Sequence, residues 1–307
     1  MQAHLAALAD VSAESSVRRE AALTIGALRH EVTPEEVAQV LTLLSSPHDC
    51  EVGGSAISVR RAALLAFTEL ARGADGAVPA AVQSGVKLST PEAPGGLVGL
   101  ICNGNDTTRE MAVRAMAVLG EHADAHSVVQ RLQDTEEDVR SAAGDALVVL
   151  RDVLAPDIIE QIAQCLPTGT AEARDDEDEV RALVLQTLAG IAAAPGWYGN
   201  LTLSSLAVVV APCLADDAPA TRAAALAALA AFGPQASAAH VDNAAALFED
   251  EQASVRLAAI EALAPRPGMR GLGSAERHGE ALSELLVDCD RSVRGAATAA
   301  LKQWGLA

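Results

Sequence analysis

The stretch Asp134-Thr-Glu-Glu-Asp-Val139-Arg140-Ser-Ala-Ala143-Gly-Asp-Ala146-Leu147-Val-Val-Leu150 decides the fold. It opens with a turn-forming acid and continues as an amphipathic helix. Val139, Ala143, Ala146, Leu147 and Leu150 stand at offsets 0, 4, 7, 8 and 11, one face of a helix. The same pattern returns along the whole chain, so the protein is an array of like units.

The arginine of the Val-Arg step marks each unit: Arg18, Arg60, Arg109, Arg140, Arg181, Arg222, Arg256 and Arg294. The intervals are 42, 49, 31, 41, 41, 34 and 38 residues, room for two helices and two turns plus inserted loops. The small position four after the Val is held by Ala21, Ala63, Ala112, Ala143, Val184, Ala225, Ala259 and Ala297. Five residues before the Val stand Ser12, Asn103, Asp134, Asp175, Asp216, Asp250 and Asp288, with Gly54 as the exception. Short polar side chains there can accept the free N–H groups of a turn or helix start. A further amphipathic segment precedes each marker. Thr33-Pro34-Glu35-Glu36 announces one of them, with Thr as N-cap, Pro at the first helical position and Glu closing a capping box.

Asp-x4-Val-Arg-x2-Ala-x2-Ala-Leu on the second helix of a two-helix unit resembles the HEAT repeat, closest to the short repeats of phycobilisome-lyase-like proteins. The variable spacing excludes tetratricopeptide repeats, whose period is constant, and no ankyrin Thr-Pro-Leu-His is present. The resemblance covers the full chain. It implies an all-α fold, a right-handed α-α superhelix (solenoid) of the armadillo type with about eight helix pairs. As one continuous solenoid the approximate units are 1–30, 31–72, 73–121, 122–152, 153–194, 195–233, 234–266 and 267–307. It also implies a ladder between adjacent units, in which Asp134, Asp175, Asp216, Asp250 and Asp288 pair with Arg140, Arg181, Arg222, Arg256 and Arg294. A half-buried guanidinium fork needs such acceptors.

Composition narrows the function. Half the residues are hydrophobic and only 2% aromatic, so Ala, Leu and Val build the core, which suits closely approaching helices. A net charge of −19 opposes binding to nucleic acid or anionic lipid, both of which need clustered cations. The most apolar run, Leu201 to Leu214, is interrupted by Ser204, Ser205 and Pro212 and is too short to span a bilayer. The five scattered cysteines read as free buried thiols in a reducing compartment. A soluble, intracellular protein is expected, cytoplasmic by default.

No catalytic residue, cofactor or metal is assigned. His122 and His126 stand at i and i+4 on an expected helix, a metal-capable spacing, but lack the Glu of His-Glu-x-x-His and read as a solvated face. HEAT-like deoxyhypusine hydroxylases carry several His-Glu pairs around two irons; this chain has only His30-Glu31.

Function is sought where units depart from the pattern. In the sixth unit the first helix carries Leu206, Val208, Val209 and Val210, apolar nearly all round. The second shows Ala223, Ala224, Ala227 and Ala231 on the expected outer face. Trp197-Tyr198, in a Pro-Gly turn just before, supplies an aromatic anchor. The acidic run Asp175-Asp176-Glu177 reads as a solvated helix start or as a contact for a basic peptide. Arg266, Arg270, Arg277 and His278 form a basic spot read as solvated. Two readings stand: a non-enzymatic scaffold or adaptor for a protein partner with a basic segment or apolar helix, or a bilin-lyase-like protein that cradles a chromophore. The chain ends right after its last repeat without a polar capping unit, which points to covered ends or to a longer protein.

Overall fold

The computed structural model describes residues 1–28, 31–46, 58–72, 77–90, 94–166, 177–193, 200–265 and 271–306, and these contain helices and turns but no strand. The chain divides into two compact units, Met1–Val153 and Leu154–Ala307.

The first unit comprises α1 (Gln2–Ala9), α2 (Ser15–Ala27), α3 (Pro34–Thr42), α4 (Val59–Ala71), α5 (Ala80–Gly85), α6 (Gly96–Asn103), α7 (Asp106–Ala117), α8 (Ala125–Val129) and α9 (Glu137–Val149). Second helices stack in order, α2 on α4, α4 on α7 and α7 on α9, with first helices packed alongside. The capping box at the start of α3 is present: the Glu36 N–H donates to Thr33 Oγ1 (3.3 Å), and the Thr33 N–H to Glu36 Oε2 (3.1 Å). The short helix α5 packs on α3.

The second unit comprises α10 (Pro156–Gln164), α11 (Glu177–Ala192), α12 (Asn200–Val210), α13 (Pro219–Phe232), α14 (Val241–Ala246), α15 (Ala253–Leu263), α16 (Ala275–Glu284) and α17 (Arg291–Gln303). Here α11, α13, α15 and α17 form the stack. The contact of α11 with α13 is the most extensive in the protein. Alanine explains it, because Ala224, Ala225 and Ala228 are all buried and their short side chains let the axes close up. Ala224, expected on the outer face, belongs to this packing.

First helices end in a recurrent way. Helices α8, α12, α14 and α16 tighten into 3-10 turns at Gln130–Gln133, Ala211–Ala215, Leu247–Glu249 and Leu285–Val287. An extended aspartate, respectively Asp134, Asp216, Asp250 or Asp288, then stops each one. The array thus places one aspartate of fixed conformation at the same point of successive repeats.

The cores are aliphatic around single rings, Phe67 in the first unit and Phe232 and Phe248 in the second. Two expectations about placement fail. His122 sits in a 3-10 turn and His126 in α8, with extended Ala123 between them, so the pair shares no helix. Of the cysteines, Cys102 and Cys289 are exposed rather than buried. Burial pushes the thiols of half-covered Cys165 and Cys213 up, which keeps them protonated and unreactive.

Candidate functional site

Each ladder aspartate does two jobs. Its Oδ1 accepts the backbone N–H two residues on: Glu136 to Asp134 (3.2 Å), Ala218 to Asp216 (2.9 Å), Gln252 to Asp250 (2.9 Å) and Asp290 to Asp288 (2.7 Å). That is an Asx turn, and it aims the carboxylate back at the preceding repeat. There it receives a guanidinium fork. Arg109 donates to Asp134 through Nε (2.9 Å) and Nη2 (2.6 Å), Arg222 to Asp250 (2.8 and 2.9 Å), and Arg256 to Asp288 (2.7 and 2.8 Å).

The arginine's remaining Nη1 reaches back within its own repeat, to the carbonyl of its own ladder aspartate. Arg140 donates to Asp134 O and Thr135 O, Arg222 to Asp216 O and Asp217 O, Arg256 to Asp250 O and Glu251 O, and Arg294 to Asp288 O and Cys289 O. One side chain therefore ties the turn of its own repeat and clamps the next one. The fork geometry makes lysine a poor substitute.

Arg181 is a skewed version. Its Nε lies 2.8 Å from Asp216 Oδ2 without an aligned N–H, and Nη2 donates to Asp216 Oδ1 at 3.4 Å. The guanidinium is drawn aside by Asp178, to which Nη2 also donates, and Glu177 approaches it to 3.9 Å. The described end of the acidic run thus helps neutralise Arg181. Asp175 and Asp176, and with them the rung expected between Asp175 and Arg140, lie outside the described residues.

The structure corrects the ladder at two points. Arg109, absent from the expected set, provides the fork for Asp134. In the first repeat the turn is made by Asp10 rather than Ser12: Asp10 Oδ1 accepts the Ser12 N–H (2.8 Å) and hydroxyl (2.6 Å). Arg18 Nη1 donates to Asp10 O and Ala13 O there. The turn acid has slipped by two residues: Asp10 stands eight residues before Arg18, where Asp134 stands six before Arg140.

Ion pairing sets the acid response. Arg256 holds the Asp288 carboxyl down to about 2, against burial, which pushes the other way. Burial is also the largest influence on Asp134 and Asp250, and it is outweighed by the arginine forks and turn N–H groups, leaving both lowered. A carboxylate with a depressed folded pKa adds stability that is complete above its ordinary value of 3.8 and disappears as pH falls through the folded value. For Asp288 the window runs from 3.8 down to about 2. Exposed carboxylates titrate nearby and relieve the excess negative charge, so the useful quantity is a difference. The stability gap between the protein and its Asp288→Asn variant is expected to hold from neutrality to about pH 4 and to shrink below. A gap unchanged at pH 2.5, by urea unfolding followed by circular dichroism, would refute the assignment.

The sixth repeat presents Val208 and Val209 on α12 at 64% and 46% exposure, while Leu206, Ala207 and Val210 are buried. Ala227 is exposed on α13 and Ala223 is half-buried. The valines and alanines lie on separate helices. Trp197 and Tyr198 lie outside the described residues. In the expected basic spot Arg277 is exposed and donates to Asp242 (2.5 Å), whereas His278 is buried and its Nδ1 accepts the Ser274 N–H (3.1 Å) at the start of α16. Arg266 and Arg270 lie outside the described residues.

A family profile described as HEAT repeats matches residues 206–302, the stretch that holds the Arg222–Asp250 and Arg256–Asp288 rungs. Over that stretch the chain carries HEAT repeats. Likeness of fold extends beyond the matched stretch. Kap121p is similar over 99% of this chain and 33% of its own, at 15% identity and a TM-score of 0.57. Kap121p bound to Pho4p gives a TM-score of 0.58 at the same identity and coverage. A designed armadillo repeat protein in complex with the peptide (KR)4 is similar over 68% of this chain and 98% of its own, at 17% identity and a TM-score of 0.46. The chain spans about a third of the length of Kap121p. No curated protein sequence matches the chain. No helix among the described residues is long and apolar enough to cross a membrane.

Proposed function

We propose that this HEAT-type array is a non-enzymatic scaffold or adaptor for a protein partner, and that the partner docks at the sixth repeat. The supporting observation is the adjacent exposed pair Val208 and Val209 on α12, flanked by buried Leu206, Ala207 and Val210. Trp197 and Tyr198 precede that helix in sequence, and Ala223 and Ala227 follow on the next one, so an apolar helix is a fitting occupant. The acids Asp175, Asp176 and Glu177 favour a basic segment in the same partner. That Kap121p has been seen bound to Pho4p agrees with protein recognition by this kind of fold.

The test is co-purification from native extract with quantitative mass spectrometry, comparing the protein with Val208→Asp/Val209→Asp and with Trp197→Ala. Both valines are exposed, so the helical signal should be unchanged while the stoichiometric partner falls at least tenfold, about 1.4 kcal/mol or more. An unaltered partner profile in both variants sinks the surface assignment. A coloured small molecule retained on the purified protein would favour the chromophore-cradling reading instead.

A further inference from the structure

Outside the ladder, the imidazole of His278 is buried with one polar atom that has no partner among the described residues. The residue is 5% exposed and stands at the end of the first turn of α16. Its Nδ1 accepts the N–H of Ser274 (3.1 Å), the residue at the N-cap of that helix. An accepting ring nitrogen carries no proton, so the neutral ring must carry its proton on Nε2. That buried Nε2–H finds no acceptor. Asp242 Oδ1, on α14 of the preceding repeat, stands 3.8 Å away, too far for a hydrogen bond.

A competitor holds Asp242 at that distance. Its Oδ2 accepts from Arg277 Nη2 (2.5 Å). This outer pair is weakly anchored, because the side chains of Arg277 and Asp242 are 63% and 64% exposed and surface pairs contribute little. The elements packed on α16 offer the ring no other carboxylate. Helix α17 and the 3-10 turn Leu285–Val287 contain no acid, and the charges of α17 are Arg291, Arg294 and Lys302. The acids of α16 itself, Glu276, Glu280 and Glu284, are exposed.

Protonation changes which neighbour the ring can serve. The added proton goes on Nδ1, which can then no longer accept and sets an N–H against the N–H of Ser274. A positive charge at the start of a helix also opposes the helix dipole. On the other edge that charge attracts Asp242, and Nε2–H becomes a charge-assisted donor to it. We infer that His278 is an acid-operated latch between the seventh and eighth repeats. Neutral, it holds the start of α16 through Ser274; protonated, it releases Ser274 and draws Asp242 away from Arg277. The segment set loose is the first turn of α16, closed by the His278 N–H to Ser274 O (3.0 Å). Histidine titrates ordinarily between pH 5 and 8, so the exchange runs above the window in which Asp288 titrates. It is independent of the partner surface at the sixth repeat, and variants at Val208 and Val209 should leave it intact.

Hydrogen exchange of the full chain, read by mass spectrometry from about pH 8 to about pH 5, tests it once the intrinsic pH dependence of exchange is divided out. The segment from Ser274 to Gly279 should then exchange about tenfold faster at the acid end, while α13 keeps its protection. His278→Asn puts a non-titrating oxygen where Nδ1 stands and should abolish the acceleration. Asp242→Asn leaves the Ser274 bond in place but removes the second partner, so the acceleration should begin at lower pH. Nitrogen-15 labelling of the histidine rings needs no substitution: at about pH 8 the His278 ring should carry its proton on Nε2. Exchange that only follows the intrinsic pH dependence, an acceleration that survives His278→Asn, an onset that ignores Asp242→Asn, or a ring protonated on Nδ1 would each overturn the inference.

Discussion

Replacing Asp250 with alanine should cost about 3 kcal/mol of stability. The side chain of Asp250 is 6% exposed and that of Arg222 is 14% exposed, so the pair is largely out of water. Truncation removes both acceptors of the Arg222 fork, at 2.8 and 2.9 Å, and the Gln252 turn bond at 2.9 Å. It leaves a guanidinium half desolvated, tied only through Nη1 to Asp216 O and Asp217 O. Asp250→Asn preserves the turn acceptor and should cost less. Because each repeat touches only its neighbours, the damage should centre on the α13–α15 junction. Amide hydrogen exchange should speed up in α13 and α15 while α2 and α4 keep their protection. A loss below about 0.5 kcal/mol, or uniform loss of protection along the chain, would contradict the ladder's role.

Gly26→Val should destabilise by roughly 1–3 kcal/mol, for a steric reason. A Cβ at Gly26 would stand 2.3 Å from Glu69 Cβ, against the base of a side chain on α4 that cannot swing away. The helices would have to part, loosening the packing of Ala22 and Ile25 alongside. Gly295 in α17 provides the control, since nothing lies within 4 Å of its added Cβ. Gly295→Ala should stabilise by about 0.5–1 kcal/mol through backbone entropy alone. Chemical denaturation of both variants checks the pair, and the same sign of effect at the two glycines would show that close approach is not what Gly26 serves.

Much of the candidate site is invisible along the chain for identifiable reasons. His278 stands between Arg277 and Gly279 and reads as part of a basic cluster, yet it is buried as the acceptor at the start of α16. His122 and His126 have metal-like spacing, but extended Ala123 breaks the helix that would have made them neighbours. Asp10 escaped because the first repeat reaches its arginine across eight residues rather than six.

What the sequence determined by itself is the repeated unit: helix, turn, helix, with its apolar face and turn acid. Those depend on hydrogen bonds and side-chain spacing within a few residues, and most copies state them again. What only the tertiary structure decided is which arginine meets which aspartate. Arg109 and Asp134 are 25 residues apart, Arg222 and Asp250 are 28, and Arg256 and Asp288 are 32. No local periodicity carries a pairing over such variable distances. It follows from stacking, since the Asx turn points each carboxylate toward the repeat before it, and only a packed neighbour can bring the fork within reach.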